Sequence, residues 1–254
     1  WQELGGDTHS GSIFTLGEGA RLGYLSANVA VEAIYHAGDL VGYSVFPNEV
    51  VARLRERGIT GIAGNYDSTV ATAYKHCGCQ SETPRQEELA HISYAYTLGA
   101  VTPDTVRALA ALPFSLDVRP RGGHAPGPRL VLVHGTPTLN TLYWTEDRSD
   151  EFCRKMAAVV GLTSGDAIAF GHTHKPWHRV LEGVHFINTG SVGRPKDGDW
   201  RAGYVRLELG DVEPRVEFVR VAYDVEAAAR CVIDAGLPEE FAEFLRTGGR
   251  PAAS

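Results

Sequence analysis

Residues 167–174 read Ala167-Ile168-Ala169-Phe170-Gly171-His172-Thr173-His174. A short apolar run closed by glycine spells a strand buried on both faces. Two imidazoles follow one residue apart, on a turn that the glycine permits. The same grammar recurs upstream. Leu130–Val133 is a second apolar run and ends on His134-Gly135. Ile59–Ala63 ends on Gly64-Asn65-Tyr66-Asp67, and Ala33–Ala37 ends on Gly38-Asp39. Asp7-Thr8-His9 carries the same residue types, although Trp1–Gly6 before it holds one aliphatic residue, Leu4, and makes a poor strand. Strands of an open α/β sheet bring their carboxyl ends to one edge, where ligands bind. Asp7, His9, Asp39, Asn65, His134, His172 and His174 are therefore predicted to face one another. These oxygen and imidazole donors are too many for one tetrahedral ion and suit two ions sharing a carboxylate.

The segments between these runs read mostly as helices. Asn48 looks like the N-cap of Glu49–Arg57, and Gly58 like its C-terminal stop. A further helix is expected from Ser68. Pro84–Tyr96 and Thr102–Leu112 open with proline at or beside the first turn. Gly17–Val31 and Asp150–Val160 are also expected to be helical. The tail is strand-rich (Val184–Asn188, Gly203–Leu209, Arg215–Val221) and closes with helices Val225–Ala235 and Pro238–Arg246. Strands alternating with helices give an α/β layer architecture, with a second sheet packed on the first. The chain has 254 residues and a formal charge of −7. That length fits one domain over 1–254, with short C-terminal helices at about 225–246. Composition excludes disorder, collagen and coiled coil. No apolar run approaches the ~20 residues of a membrane helix, and no signal peptide opens the chain. A cytoplasmic protein without membrane attachment is the expectation. The acidic balance disfavours general binding to a nucleic-acid backbone.

The order Asp-x-His, Gly-Asp, Gly-Asn-x-Asp, His, Gly-His-x-His resembles the calcineurin-like metallophosphoesterase superfamily. It is most similar to a small bacterial phosphodiesterase-like branch whose third motif lacks its histidine. The likeness spans roughly Asp7 to Asp224 and includes Gly38–Tyr43 and Asn188–Gly193. It implies a four-layer αββα sandwich of two mixed β-sheets flanked by helices, with a dinuclear metal site. It further implies that Asp7, His9, Asp39 and His174 hold one ion. Asn65, His134, His172 and the shared Asp39 would hold the other.

The function so implied is a metal-dependent phosphoesterase, in which hydroxide held by two metals attacks a small phosphoester in line. Asp39, Asn65, His134 and Tyr66 would be the catalytic set. Mn, Fe, Ni or Zn suit imidazole-rich ligation, with Mn favoured. Tyr66 stands where relatives carry histidine. A phenol of pKa ~10 is a poor proton donor at neutrality, which favours phosphodiesters over alkyl monoesters. As a bare alternative, Tyr66 is only a wall of the site. A phosphomonoesterase acting on a nucleotide or phosphoprotein is the nearest alternative enzyme, and a non-catalytic scaffold with the same fold is the alternative from another class. Lys175, Arg194 and Lys196 are candidates to grip a phosphate. Tyr143 and Trp144 would either stack a substrate ring or cover the core. Asp67 would orient Tyr66 or cap a helix. Cys77 and Cys79 are expected to be small packed residues, since a bridge over one intervening residue would be strained.

Overall fold

The computed structural model describes residues 33–119, 127–210 and 213–250, and the backbone of 13–16. The readings made above for Trp1–Gly6, Asp7, His9 and Gly17–Val31 lie outside the described residues. Two five-stranded sheets organise the chain. The first runs β10-β9-β1-β2-β3, from Arg215–Val221, Ala202–Glu208, Ile13–Leu16, Ala33–His36 and Thr60–Gly61. The second runs β4-β5-β6-β8-β7, from Ser115–Val118, Leu130–Val133, Ala167–Phe170, Val184–Asn188 and Trp177–Leu181. Both are mixed. In the second, β5, β6 and β8 are parallel, and antiparallel β4 and β7 close the edges. In the first, β2 and β3 are parallel, whereas β1 is antiparallel to β2 and parallel to β9.

Alternation along the strands builds the layers. Leu130, Leu132, Ala167, Ala169 and Ile187 point to one face of the second sheet and meet Ala37, Ile62, Val205 and Leu207 of the first. Their neighbours Val131, Val133, Ile168, Phe170 and Phe186 point the other way, onto Cys153 and Met156 of α5 (Asp150–Val159). Helices α1 (Pro47–Glu56), α2 (Asn65–Ala71), α3 (Pro84–Ala100) and α4 (Pro103–Ala110) share a separate core of Val50, Leu54, Tyr66, Tyr94 and Leu109. The result is the expected αββα sandwich. Each fully buried aliphatic side chain contributes about 1.5–3 kcal/mol, so the inter-sheet seam is a dominant source of stability. Helices α6 (Val225–Asp234) and α7 (Glu239–Thr247) pack on each other through Ala229, Val232, Phe241 and Ala242.

Local chemistry explains the helix ends. Thr83, Thr102, Ser149 and Asp224 each accept a backbone N–H of the helix they open. Asn48 departs from expectation: α1 starts at Pro47, two residues before the expected Glu49, so Asn48 is inside the first turn. Its amide instead ties the α3–α4 junction, donating to the Ala100 carbonyl and accepting from Thr102 N and Thr105 Oγ1. Helix α2 likewise begins at Asn65 rather than Ser68, which puts a predicted ligand on its first residue. Among the described residues no helix is long and apolar enough to cross a membrane.

Candidate metal centre

Four strand ends deliver the described part of the site. β2 leads through Ala37 to Gly38-Asp39, β3 to Gly64-Asn65, β5 to His134, and β6 to Gly171-His172-Thr173-His174. The two sheets are stitched at this edge by the His134 ring, whose Nδ1 donates to the Ala37 carbonyl at 2.7 Å. Asp39, Asn65, His134, His172 and His174 are all buried. Asp39, His172 and His174 sit in the left-handed region, at φ 54°, 63° and 62°. Such backbone costs on the order of 1–3 kcal/mol per residue and persists where surroundings enforce it, characteristically at functional sites.

Glycine lets the first-sheet loops interlock. A Cβ at Gly64 would lie 2.0 Å from Asp39 Oδ1, and one at Gly38 would lie 2.3 Å from Gly64 N. Asp67 straps the same two loops from the third position of α2. Its carboxylate accepts Leu40 N at 2.8 Å and Gly64 N at 2.9 Å. It therefore caps α2 and anchors the loop that carries Asp39, rather than orienting Tyr66. Asp39 Oδ1 accepts Tyr66 N at 2.9 Å, which leaves Oδ2 to face the site.

The orientation of each donor follows from its other hydrogen bonds. Because His134 Nδ1 carries the proton given to Ala37, the neutral ring presents a lone pair at Nε2. Asn65 Nδ2 donates to the Cys77 carbonyl at 2.8 Å, so Oδ1 points the other way. Around His134 Nε2 lie Asn65 Oδ1 at 3.0 Å, His172 Nδ1 at 3.1 Å and Asp39 Oδ2 at 3.3 Å. Three of these atoms, Asn65 Oδ1, Asp39 Oδ2 and the His134 Nε2 lone pair, are acceptors, and acceptors gathered so closely repel one another unless positive charge sits among them. The electrostatics say the same. Burial pushes Asp67 up to about 7, and the Asp39 carboxylate beside it adds to the rise. Burial works against a charged His134, yet Asp39 raises its pKa above the ordinary value. Burial lowers His172 to about 3, which keeps it neutral as a ligand must be. Asp39, His134 and His172, joined by Asn65 Oδ1, fit one divalent transition ion in donor type and number. They are the four residues that the family resemblance assigns to one ion.

A cavity of about 30 Å³ adjoins this cluster, lined by Asp39, Asn65, His172, His174, Tyr43, Tyr66, Cys79, Gln80, Tyr143, Arg194 and Lys196. His174 Nδ1 donates to the Arg194 carbonyl at 2.7 Å, which makes Nε2 its acceptor nitrogen. The Arg194 guanidinium lies between Tyr43 and Phe244, at 4.0 and 3.8 Å from their ring centres. Burial, and then Arg194, lowers Lys196 to about 7. Tyr143 packs on His172 with ring centres 4.2 Å apart. The Tyr66 hydroxyl pairs with Ser93 Oγ at 2.7 Å, and burial drives its pKa well above 10.0.

Two candidate substrate contacts are not brought to the cavity. Trp144 is fully buried and stacks on Phe170 at 4.4 Å, within the core that faces α5. Lys175 is exposed and lies outside the cavity lining. The expectation for the cysteines is overturned too. Cys77 and Cys79 form a disulfide across Gly78, with Cα atoms 5.3 Å apart, and Cys79 faces the cavity. Sequence reasoning also missed a brace. Buried Asn188, at the end of β8, donates to the Gly171 carbonyl at 3.0 Å and Thr173 Oγ1 at 2.9 Å, fixing the turn that presents both histidines. The polar turn after an apolar strand at Asn188-Thr189-Gly190 was its signal in the sequence.

Comparison with known proteins bears on the family and the fold. The profile of the calcineurin-like phosphoesterase superfamily domain matches residues 6–211. An uncharacterized protein of Methanocaldococcus jannaschii is 26% identical over 238 residues, covering 87% of this chain and 88% of its own. A hypothetical protein from Pyrococcus horikoshii superposes with a TM-score of 0.72 at 19% identity, over 95% of this chain and 99% of that one. A metallophosphoesterase from Sphaerobacter thermophilus superposes at 0.64 and 22% identity, over 93% and 99%. At such identities the two solved structures speak to the fold alone.

Proposed function

The chain belongs to the calcineurin-like phosphoesterase superfamily, and on that premise we propose that it hydrolyses small phosphodiesters, in the cytoplasm, with two divalent transition ions, Mn foremost. The observation that carries this reading is the convergence of Asn65 Oδ1, His172 Nδ1 and Asp39 Oδ2 on the lone pair of His134 Nε2. When bound, two such ions would supply a water acidified to about pKa 7 and neutralise phosphoryl oxygens. Asp39 is the shared carboxylate in this reading. Asp7, His9 and His174 would complete the second ion's set.

The chain's own residues define the rest of the chemistry. The Ala37 carbonyl holds His134 in the tautomer that ligates. Arg194, preorganised between two aromatic rings, and Lys196 offer positive charge to the non-bridging oxygens of a phosphate. Tyr143 forms a wall against which a leaving-group ring can pack. The Tyr66 hydroxyl is paired with Ser93 Oγ and burial holds its pKa well above 10.0, so it is a poor proton donor to a departing alkoxide. Esters with acidic leaving groups, diesters before alkyl monoesters, suit such a site. An acidic chain of net charge −7 is compatible with this, because the ions make the pocket locally cationic.

The test is Mn-dependent hydrolysis of bis(p-nitrophenyl) phosphate and p-nitrophenyl phosphate by the native chain and by Asp39→Asn. The diester should be the faster substrate, and the variant should lose at least about 100-fold of the rate. Equal rates from the two proteins would overturn the mechanism, and faster hydrolysis of the monoester p-nitrophenyl phosphate would overturn the diester preference.

A further inference from the structure

The metal cluster has a neighbour that hydrolysis does not use. The segment between α2 and α3 carries Cys77-Gly78-Cys79 without regular secondary structure. Its turn is held by two local hydrogen bonds and a left-handed glycine. Gly78 N donates to His76 Nδ1 at 3.1 Å, Cys79 N to Cys77 Sγ at 3.2 Å, and Gly78 occupies the left-handed region at φ 73°. The two cysteines are bridged, and Cys79 lines the metal-site cavity. The remaining cysteines, buried Cys153 and half-buried Cys231, are free.

What makes this pair more than a surface staple is its partner. The Asn65 amide nitrogen donates to the Cys77 carbonyl at 2.8 Å and faces Cys79 Sγ at 3.8 Å. Asn65 Oδ1 is the oxygen set against His134 Nε2. An amide has one oxygen and one nitrogen on opposite arms, so whatever fixes the nitrogen aims the oxygen. The bridge closes a small ring through Cys77, Gly78 and Cys79, and so holds the Cys77 carbonyl where Asn65 needs it. Without the bridge, the turn keeps glycine at its centre and loses its covalent constraint.

We propose that Cys77 and Cys79 are a reversible redox modification site that sets metal affinity through Asn65; the proposal rests on the metal site described above. In the oxidising direction the two thiols lose two protons and two electrons and one S–S bond forms. Glutathione disulfide, the oxidant class named here, accepts them as its own S–S bond breaks to give two glutathione thiols. The bridged chain holds Asn65 oriented and takes up the ion. The dithiol chain releases the Asn65 orientation and holds the ion more weakly. Loss of an orienting partner typically lowers metal affinity about 10–100-fold, and that is the change expected here.

The experiment uses the full chain, stripped of metal and equilibrated with glutathione disulfide or with dithiothreitol, which is then removed. Free thiols are counted under denaturing conditions, and Mn dissociation constants are measured by fluorescent competition. The oxidised chain should show two thiols and the reduced chain four, from the four cysteines present. Reduction should raise the Mn dissociation constant about tenfold or more. The double variant Cys77→Ser, Cys79→Ser should bind Mn like the reduced chain in both treatments. Four thiols after oxidation would overturn the modification site. Equal Mn affinities in the two states, or tighter binding after reduction through a Cys79 thiolate, would overturn the coupling while leaving the phosphoesterase reading intact. Failure to bind Mn in either state would overturn both.

Discussion

The two sheets contribute to one site by different means. The second sheet hands over its histidines directly: β5 and β6 are buried along their whole length, and His134 and His172 follow within two residues. The first sheet delivers Asp39 and Asn65 on loops. Only Thr60–Gly61 of β3 pair as a strand, and the ligands are fixed by interlocked glycines and the Asp67 strap. The second sheet's ligands follow fully buried strands, with Asn188 bracing their turn, whereas the first sheet's rest chiefly on directed hydrogen bonds to backbone. Damage to the first kind should cost fold stability, and damage to the second should cost metal geometry.

The sharpest way to break that contrast is Trp144→Ala. Removing this fully buried ring from the second sheet's outer core should lower the unfolding free energy by about 3–5 kcal/mol. Mn affinity of the folded fraction should not change, and a denaturant melt with parallel Mn titration checks both. Acid probes the first sheet. His36 on β2 is buried against Gly61, and burial lowers its pKa to about 4 from 6.5. The folded chain holds it neutral while the unfolded chain protonates it, so its contribution is full above pH 6.5 and is lost as the pH falls toward 4. That loss amounts to up to about 3 kcal/mol, and His36→Leu should flatten this part of the stability profile. Asp67→Asn should cost about 2 kcal/mol, because one accepted N–H must now face an amide NH₂. Its larger effect should be on Mn binding, weakened about 10–100-fold by calorimetry. Equal damage to stability and metal binding in Trp144→Ala and Asp67→Asn would dissolve the distinction. Smallest is Tyr66→Phe, which removes the Ser93 hydrogen bond for about 1 kcal/mol. It should leave turnover of an aryl diester unchanged, and a tenfold loss would make the phenol a participant.

The same difference decides what the sequence shows. Where packing places a ligand, the pattern is readable: apolar runs at Leu130–Val133 and Ala167–Phe170 end on His134 and on Gly171–His174, where the structure has them. Asp39 and Asn65 are legible as well, in Gly38-Asp39 and Gly64-Asn65, but the hydrogen bonds that hold them are not. Asp67 reads as a helix cap without revealing that it also holds Leu40 N. Asn48 has the chemistry of a cap, and only the approach of α1 to the α3–α4 junction redirects its amide to residues more than fifty positions away. Tyr143 and Trp144 are adjacent and aromatic, yet one lines the cavity and the other fills the core, a choice made by tertiary packing alone. The cysteine pair was misread because spacing argues against a bridge, whereas the left-handed turn at Gly78 permits one.

The hydrogen bond from His134 to the Ala37 carbonyl joins residues 97 positions apart and seals one sheet against the other. It has a kinetic corollary. Asp39 and Asn65 emerge from the ribosome ahead of their partners His134 and His172, which lie in the second half of the sequence, and the cluster closes when the sheets dock. Contacts of such long sequence separation form late. Ion capture should therefore lag the recovery of helical signal during refolding, and the arriving metal becomes a clock that reads the last step of assembly.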